Sequence, residues 1–154
     1  MTNDELEEYI RMFHGTLYRL AFGYVHNSEN AEDICQSAFV KLMGYKGSFD
    51  APENCKAWLI RVTINLSKNL LRSKRSTQLE ELDENIPALE KEESELLEVV
   101  MSLPPKYRAV IHLYYYEGYS VKEIADIIGA SVTSVTTRLS RARERLKDML
   151  LREE

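Results

Sequence analysis

Cysteine, proline and glycine are all scarce in this chain of 154 residues, at two, four and six. Cys35 and Cys55 have neither metal-ligand spacing nor the density of a disulfide framework, so a reducing cytoplasm is the expected setting. So few turn formers leave little room for the many tight turns of a β-sandwich or barrel. No run approaches the ~20 apolar residues of a membrane-spanning helix, and direct membrane insertion is not expected. Asp4, Glu5, Glu7 and Glu8 stand where a secretory leader would be basic. A phosphate-cradling glycine loop and a nucleophile motif are missing, and His14, His26 and His112 stand apart. An enzyme, a metal site and a cofactor are therefore not expected. The chain does hold 44% hydrophobic and 29% charged residues, enough for one ordinary domain or two very small ones. The expected class is all-α.

The net charge of −5 is unevenly spread. Residues 1–75 carry a net +1, residues 76–98 a net −8 and residues 99–154 a net +2. The acidic piece includes Glu80, Glu81, Asp83, Glu84, Glu90, Glu92, Glu93 and Glu95, broken by Pro87. Its start has little hydrophobic periodicity and reads as a solvated, flexible linker. The organisation this implies is two small helical domains, 1–75 and 96–154, on an acidic linker at 76–95.

In the first half, Leu6, Tyr9, Ile10, Phe13, Leu17, Leu20, Ala21 and Tyr24 recur at spacings of three and four, one stripe of a long helix. Asn27 or Ser28 caps a second helix, whose buried stripe is Ala31, Ile34, Cys35, Ala38, Phe39 and Leu42. Asp33, Gln36 and Lys41 fall off that stripe. Turn formers mark a loop from Gly44 to Lys56, and a third helix is expected from about Lys56 to Arg75. Its apolar positions include Leu59, Val62, Leu66 and Leu70, and its polar ones Arg61, Asn65, Lys68, Asn69 and Arg72. A plain three-helix bundle accounts for all of this periodicity.

In the second half, Leu96, Val100 and Leu103 suggest a short helix stopped at Pro104 and Pro105. Tyr107, Val110, Ile111 and Tyr114 stripe the next one. Ser120 and Glu123 form a capping box, Gly129 supplies a left-handed turn, and Ser131 caps a final helix. The pair has helix-turn-helix spacing, with small Ala125 at the close approach and Val135 returning onto Ile124 and Ile128. The last helix buries Val135, Leu139, Ala142, Leu146 and Met149. Its other side carries Thr136, Thr137, Arg138, Ser140, Arg141, Arg143, Arg145 and Lys147. Short hydroxyls first and arginines later suit a helix entering the major groove by its N-terminus.

Three stretches, AEDICQSAF at Ala31–Phe39, AWLIRVTINLSKNLLR at Ala57–Arg72 and the run Leu103–Leu146, together resemble the small, extracytoplasmic-function sigma factors of bacterial RNA polymerase. The resemblance implies a region-two domain, a linker and a region-four helix-turn-helix. It implies that Asp33, Gln36 and Phe39 meet the clamp coiled coil of the beta-prime subunit, with core packing equally open for Phe39. Lys56, Arg61, Asn65, Asn69 and Arg72 would recognise and melt the downstream promoter element, with Trp58 as a structural anchor. Thr136, Thr137, Arg138, Ser140, Arg141, Arg143 and Arg145 would face the upstream element, although Lys or Arg is common in the family where Thr136 stands. The implied partners are core RNA polymerase, through the clamp and the beta flap, promoter DNA and an anti-sigma factor. The alternative is an autonomous helix-turn-helix regulator with a helical sensor domain.

Overall fold

A computed structural model describes residues 1–74 and 100–152. The described residues fall into two compact units, within Met1–Asp83 and within Glu84–Glu154. Every regular element among them is helical. The acidic linker expected at 76–95 lies outside the described residues, and so does most of the helix expected around Leu96.

In the first unit, α1 spans Asn3–Val25, α2 Ser28–Met43 and α3 Pro52–Lys74, each packed on the other two. Thr2 opens α1 with a capping box: the Glu5 N–H donates to Thr2 Oγ1 at 3.1 Å, and the Thr2 N–H donates to Glu5 Oε2 at 3.0 Å. His26 ends α1 in the left-handed region, at φ 52°. Asn27, rather than Ser28, caps α2, accepting from the Asn30 N–H at 2.8 Å. Two residues between helices force an antiparallel turn, and His14 Nε2 lies 3.0 Å from Glu32 Oε1 across it.

The third helix begins at Pro52, not near Lys56. Proline has no N–H to leave orphaned in a first turn and its φ is already helical, so Pro52 starts the helix rather than extending the loop. The buried stripe of α3 also differs from expectation. It runs through Cys55, Leu59, Ile60, Thr63, Ile64 and Ser67, while Val62, Leu66 and Leu70 are half-buried. Ser67 enters the core with its hydroxyl satisfied by the helix itself: Ser67 Oγ donates to the Thr63 carbonyl at 2.8 Å. Leu17, Leu42, Leu59 and Ile60 are fully buried, each contributing about 1.5–3 kcal/mol of transfer free energy.

In the second unit, α4 spans Pro105–Ile111, a π turn His112–Tyr116, α5 Val121–Ile128 and α6 Val132–Arg152. Both α4 and α5 pack on α6. The π turn is unanticipated by a 3.6-residue period. The Glu117 N–H reaches back five residues to the His112 carbonyl at 3.0 Å, and His112 Nε2 lies 3.3 Å from Glu117 Oε1. The extra residue shifts the stripe, so Leu113 is fully buried and Tyr114 only half-buried. Ser120 and Glu123 cap α5 reciprocally, Gly129 closes it at φ 70°, and Ser131 Oγ accepts the Ser134 N–H at 3.0 Å to open α6. Val135, Leu139 and Ala142 are buried on α6, as are Ile124 and Ala125 on α5, which packs against it. Arg108 is buried, 6% exposed, with Nη1 donating to the Met101 carbonyl at 3.2 Å.

Candidate nucleic-acid interface

Spacings of three and four place Asp33, Gln36, Val40 and Met43 on one face of α2. Asp33 and Gln36 are exposed, and Val40 and Met43 expose 64% and 65% of their surface. Phe39 lies elsewhere: it is 7% exposed and its ring stacks 6.4 Å from the His14 ring. Phe39 therefore serves the core of the bundle. Val40 and Met43 escaped the sequence reading, although two large apolar residues off the buried stripe are the usual mark of a contact surface.

Residues 44–51 connect α2 to α3 and are held down by aromatic rings. Tyr45 and Phe49 stack at 4.3 Å, Trp58 meets Tyr45 edge-on at 5.2 Å, and Tyr9 of α1 meets Phe49 edge-on at 6.4 Å. Trp58 is thus the anchor that the sequence suggested. From it, Arg61, Asn65, Asn69 and Arg72 continue along one exposed face of α3, with half-buried Lys68 beside them. Lys56 is half-buried and falls off this row. Two amides between cations suit an extruded base: amides read its edge while cations neutralise flanking phosphates. A groove of about 380 Å³ joins the α2 face to the α3 face, with Ile34, Leu66 and Leu70 as its floor and Asp33, Ser37 and Asn69 at its rim.

In α6, a step of about 100° per residue puts Thr133, Thr137, Ser140 and Glu144 opposite the buried Val135, Leu139 and Ala142, with Thr136 at the edge of that face. Thr136 and Ser140 are exposed and Thr137 is half-buried. Thr136 Oγ1 donates to the Val132 carbonyl at 2.9 Å, leaving its oxygen to accept and its methyl group fixed. The arginines do not form one outward row. Arg141 and Arg143 stand on opposite flanks of the hydroxyls, Arg138 is half-buried beside the packed side, and Arg145 is exposed.

Arg141, Arg143 and Arg145 are tied to tyrosines 28 or more residues upstream. Arg143 Nε donates to the Tyr115 hydroxyl at 2.6 Å, and its guanidinium carbon lies 5.5 Å from the ring centroids of both Tyr114 and Tyr115. Arg145 sits 4.9 Å over the Tyr107 ring. A hydrogen bond from Arg141 pulls the Tyr107 hydroxyl below the ordinary tyrosine range, against a smaller upward push from burial. None of these long-range pairs has a signature in the sequence.

Among the described residues, no helix is long and apolar enough to cross a membrane, and no cluster of three or more His, Cys, Asp or Glu is placed to hold a metal.

Residues 9–77 match the sigma-70 region 2 family and residues 93–146 the sigma-70 region 4 family. The RNA polymerase sigma factor SigV of Bacillus subtilis (strain 168) is 32% identical over 143 residues, covering 89% of this chain and 86% of SigV. A structure of the sigma factor RpoE in complex with the anti-sigma factor NepR, from Bartonella quintana, shares the fold at a TM-score of 0.80. The likeness covers 95% of this chain and 96% of that one at 23% identity. The structure of CnrH in complex with the cytosolic domain of CnrY is similar at a TM-score of 0.73 and 25% identity, over 99% of this chain and 92% of that one. The ECF RNA polymerase sigma factor SigW of Bacillus subtilis (strain 168) is 27% identical, over 96% of this chain and 89% of its own length. With both region families matched in chain order and these near-full-length relatives beside them, this chain belongs to the sigma-70 family of RNA polymerase sigma factors, in its extracytoplasmic-function branch.

Proposed function

We propose that the chain divides the work of initiation among three surfaces: the α2 face, the α3 row with its pinned loop, and the hydroxyl row of α6. Asp33 and Gln36, extended by Val40 and Met43, meet the beta-prime clamp coiled coil of core polymerase. A charged start and an apolar end allow one face to combine orientation with burial. The loop at 44–51 and the row Arg61, Asn65, Asn69 and Arg72 receive the opened downstream element. Extruding a base costs a few kcal/mol, which edge contacts and phosphate neutralisation offset. The α6 hydroxyls, flanked by Arg141 and Arg143, read the upstream element, and the second unit also meets the beta flap.

The chain performs no catalysis in this reading and works only on loan to the polymerase. The −8 charge over 76–98 supports a linker that occupies a basic polymerase channel in place of nucleic acid. The structure of the sigma factor RpoE with the anti-sigma factor NepR supports control of this chain by such a partner. Family membership displaces the autonomous-regulator alternative.

The observation that carries the reading is the single exposed face of α3 on which two amides and two arginines follow Trp58. Asp33→Arg tests its polymerase arm. The exposed side chain is dispensable to the fold, so the variant keeps the wild-type melting temperature and loses most co-purification with core polymerase. Undiminished co-purification contradicts the assignment of the α2 face.

A further inference from the structure

We propose that Tyr115 is a positioning residue for promoter DNA, acting through Arg143. This rests on the reading of α6 as the upstream-element helix and adds a part to it. Tyr115 is 59% exposed, so core packing does not account for a large aromatic residue there. Its hydroxyl accepts from Arg143 Nε at 2.6 Å, the short distance of a bond with a charged donor. The neighbouring Tyr114 ring stands 4.9 Å away at 75°, and both rings lie 5.5 Å from the guanidinium carbon.

The route of that contact matters. A guanidinium has five N–H donors in a rigid plane, and the tyrosine takes the one on Nε. The hydrogens on the two Nη atoms remain for a second acceptor, and their fork matches two oxygens of a phosphate. A long side chain that otherwise samples many rotamers is thereby held beside the hydroxyl row before DNA arrives, which lowers the ordering cost of binding. Tyr114 and Tyr115 both lie in the π turn His112–Tyr116, and both rings approach the same guanidinium.

The test uses holoenzyme assembled from core polymerase and the full chain. Promoter affinity is measured across a salt series for wild type, Tyr115→Phe, Arg143→Gln and the double variant, on templates with intact and scrambled upstream elements. Tyr115→Phe is expected to weaken binding about three- to fivefold, the worth of one hydrogen bond, at an unchanged melting temperature. Arg143→Gln is expected to weaken it about tenfold and reduce the salt slope by about one. Tyr115→Phe should then add nothing in the Arg143→Gln background, where no guanidinium remains to position. An equal Tyr115→Phe effect in both backgrounds, or a salt slope indifferent to Arg143→Gln, overturns the inference while discrimination between the two templates persists. Wild-type holoenzyme that does not distinguish the templates overturns the reading of α6 and the inference with it.

Discussion

Replacing Phe49 with alanine tests whether the loop between α2 and α3 is built in advance of promoter opening. Phe49 contacts three rings: Tyr45 at 4.3 Å, Trp58 at 6.2 Å and Tyr9 at 6.4 Å. Each aromatic pair contributes about 0.5–1.5 kcal/mol beyond area burial. A fully buried phenylalanine costs about 3–5 kcal/mol on truncation, and Phe49 is only half-buried, so about 2–3 kcal/mol is the figure to expect. At about 4–8 °C per kcal/mol in a unit of this size, the first transition should fall by about 10 °C or more. The functional cost adds to this. Released loop residues must be reordered at each opening event, at about 1–2 kcal/mol each, and every 1.4 kcal/mol is about a factor of ten. Two released residues therefore reduce strand opening by about tenfold or more, while co-purification with polymerase stays at the wild-type level. Thermal denaturation and permanganate reactivity of promoter thymines supply the readouts, at a temperature where the variant is folded. Exposed Lys46 in the same loop provides the control, because Lys46→Ala removes none of the rings. Wild-type melting and wild-type permanganate reactivity for Phe49→Ala would refute the reasoning.

Asn65→Ala should leave melting and initial promoter binding unchanged and lower permanganate reactivity about tenfold; normal reactivity removes Asn65 from the opening surface. Gly129→Ala tests the turn of the helix-turn-helix. At φ 70° with no atom within 4 Å of an added Cβ, the cost is backbone strain alone, about 1–2 kcal/mol, read as a lower melting temperature of the second unit. Burial pushes the Cys35 thiol up to about 12, aided by Glu32, and the Cys55 thiol to about 11. Both are uncharged in the folded chain at pH 8, so alkylation should be slow until denaturant is added. Since these values are raised on folding, the stability they contribute is complete below the ordinary thiol value of 9.0 and declines as pH rises from there towards 12. Rapid labelling of the native chain at pH 8 contradicts their placement in the core.

Local chemistry made much of the fold legible in advance. Ser120 with Glu123, Gly129 and Ser131 are signals that act within a turn of themselves, and the structure places each where its chemistry requires. Thr2 and Glu5 carry the same capping-box spacing and were available to the same reasoning. Pro52 was misplaced because proline suits a loop and a helix start equally, and only the chain after it decides. The α3 stripe shifted because hydrophobicity alone does not admit Thr63 and Ser67 to a core, although the Thr63 carbonyl accepts the Ser67 hydroxyl there. The surfaces were harder. The row from Arg61 to Arg72 follows from helical spacing, but Phe39 sits on a boundary where motif and burial disagree. Pairing of Arg143 with Tyr115, 28 residues apart, joins the π turn after α4 to α6, which no short-range pattern encodes.

Transcription by purified core polymerase, with and without this chain, on linear templates bearing candidate promoters measures the central claim most directly. The account predicts initiation from specific start sites only when the chain is present, together with permanganate-reactive thymines upstream of each start. The same chain binding an operator tightly in the absence of polymerase, and leaving the polymerase no more selective than before, would contradict it.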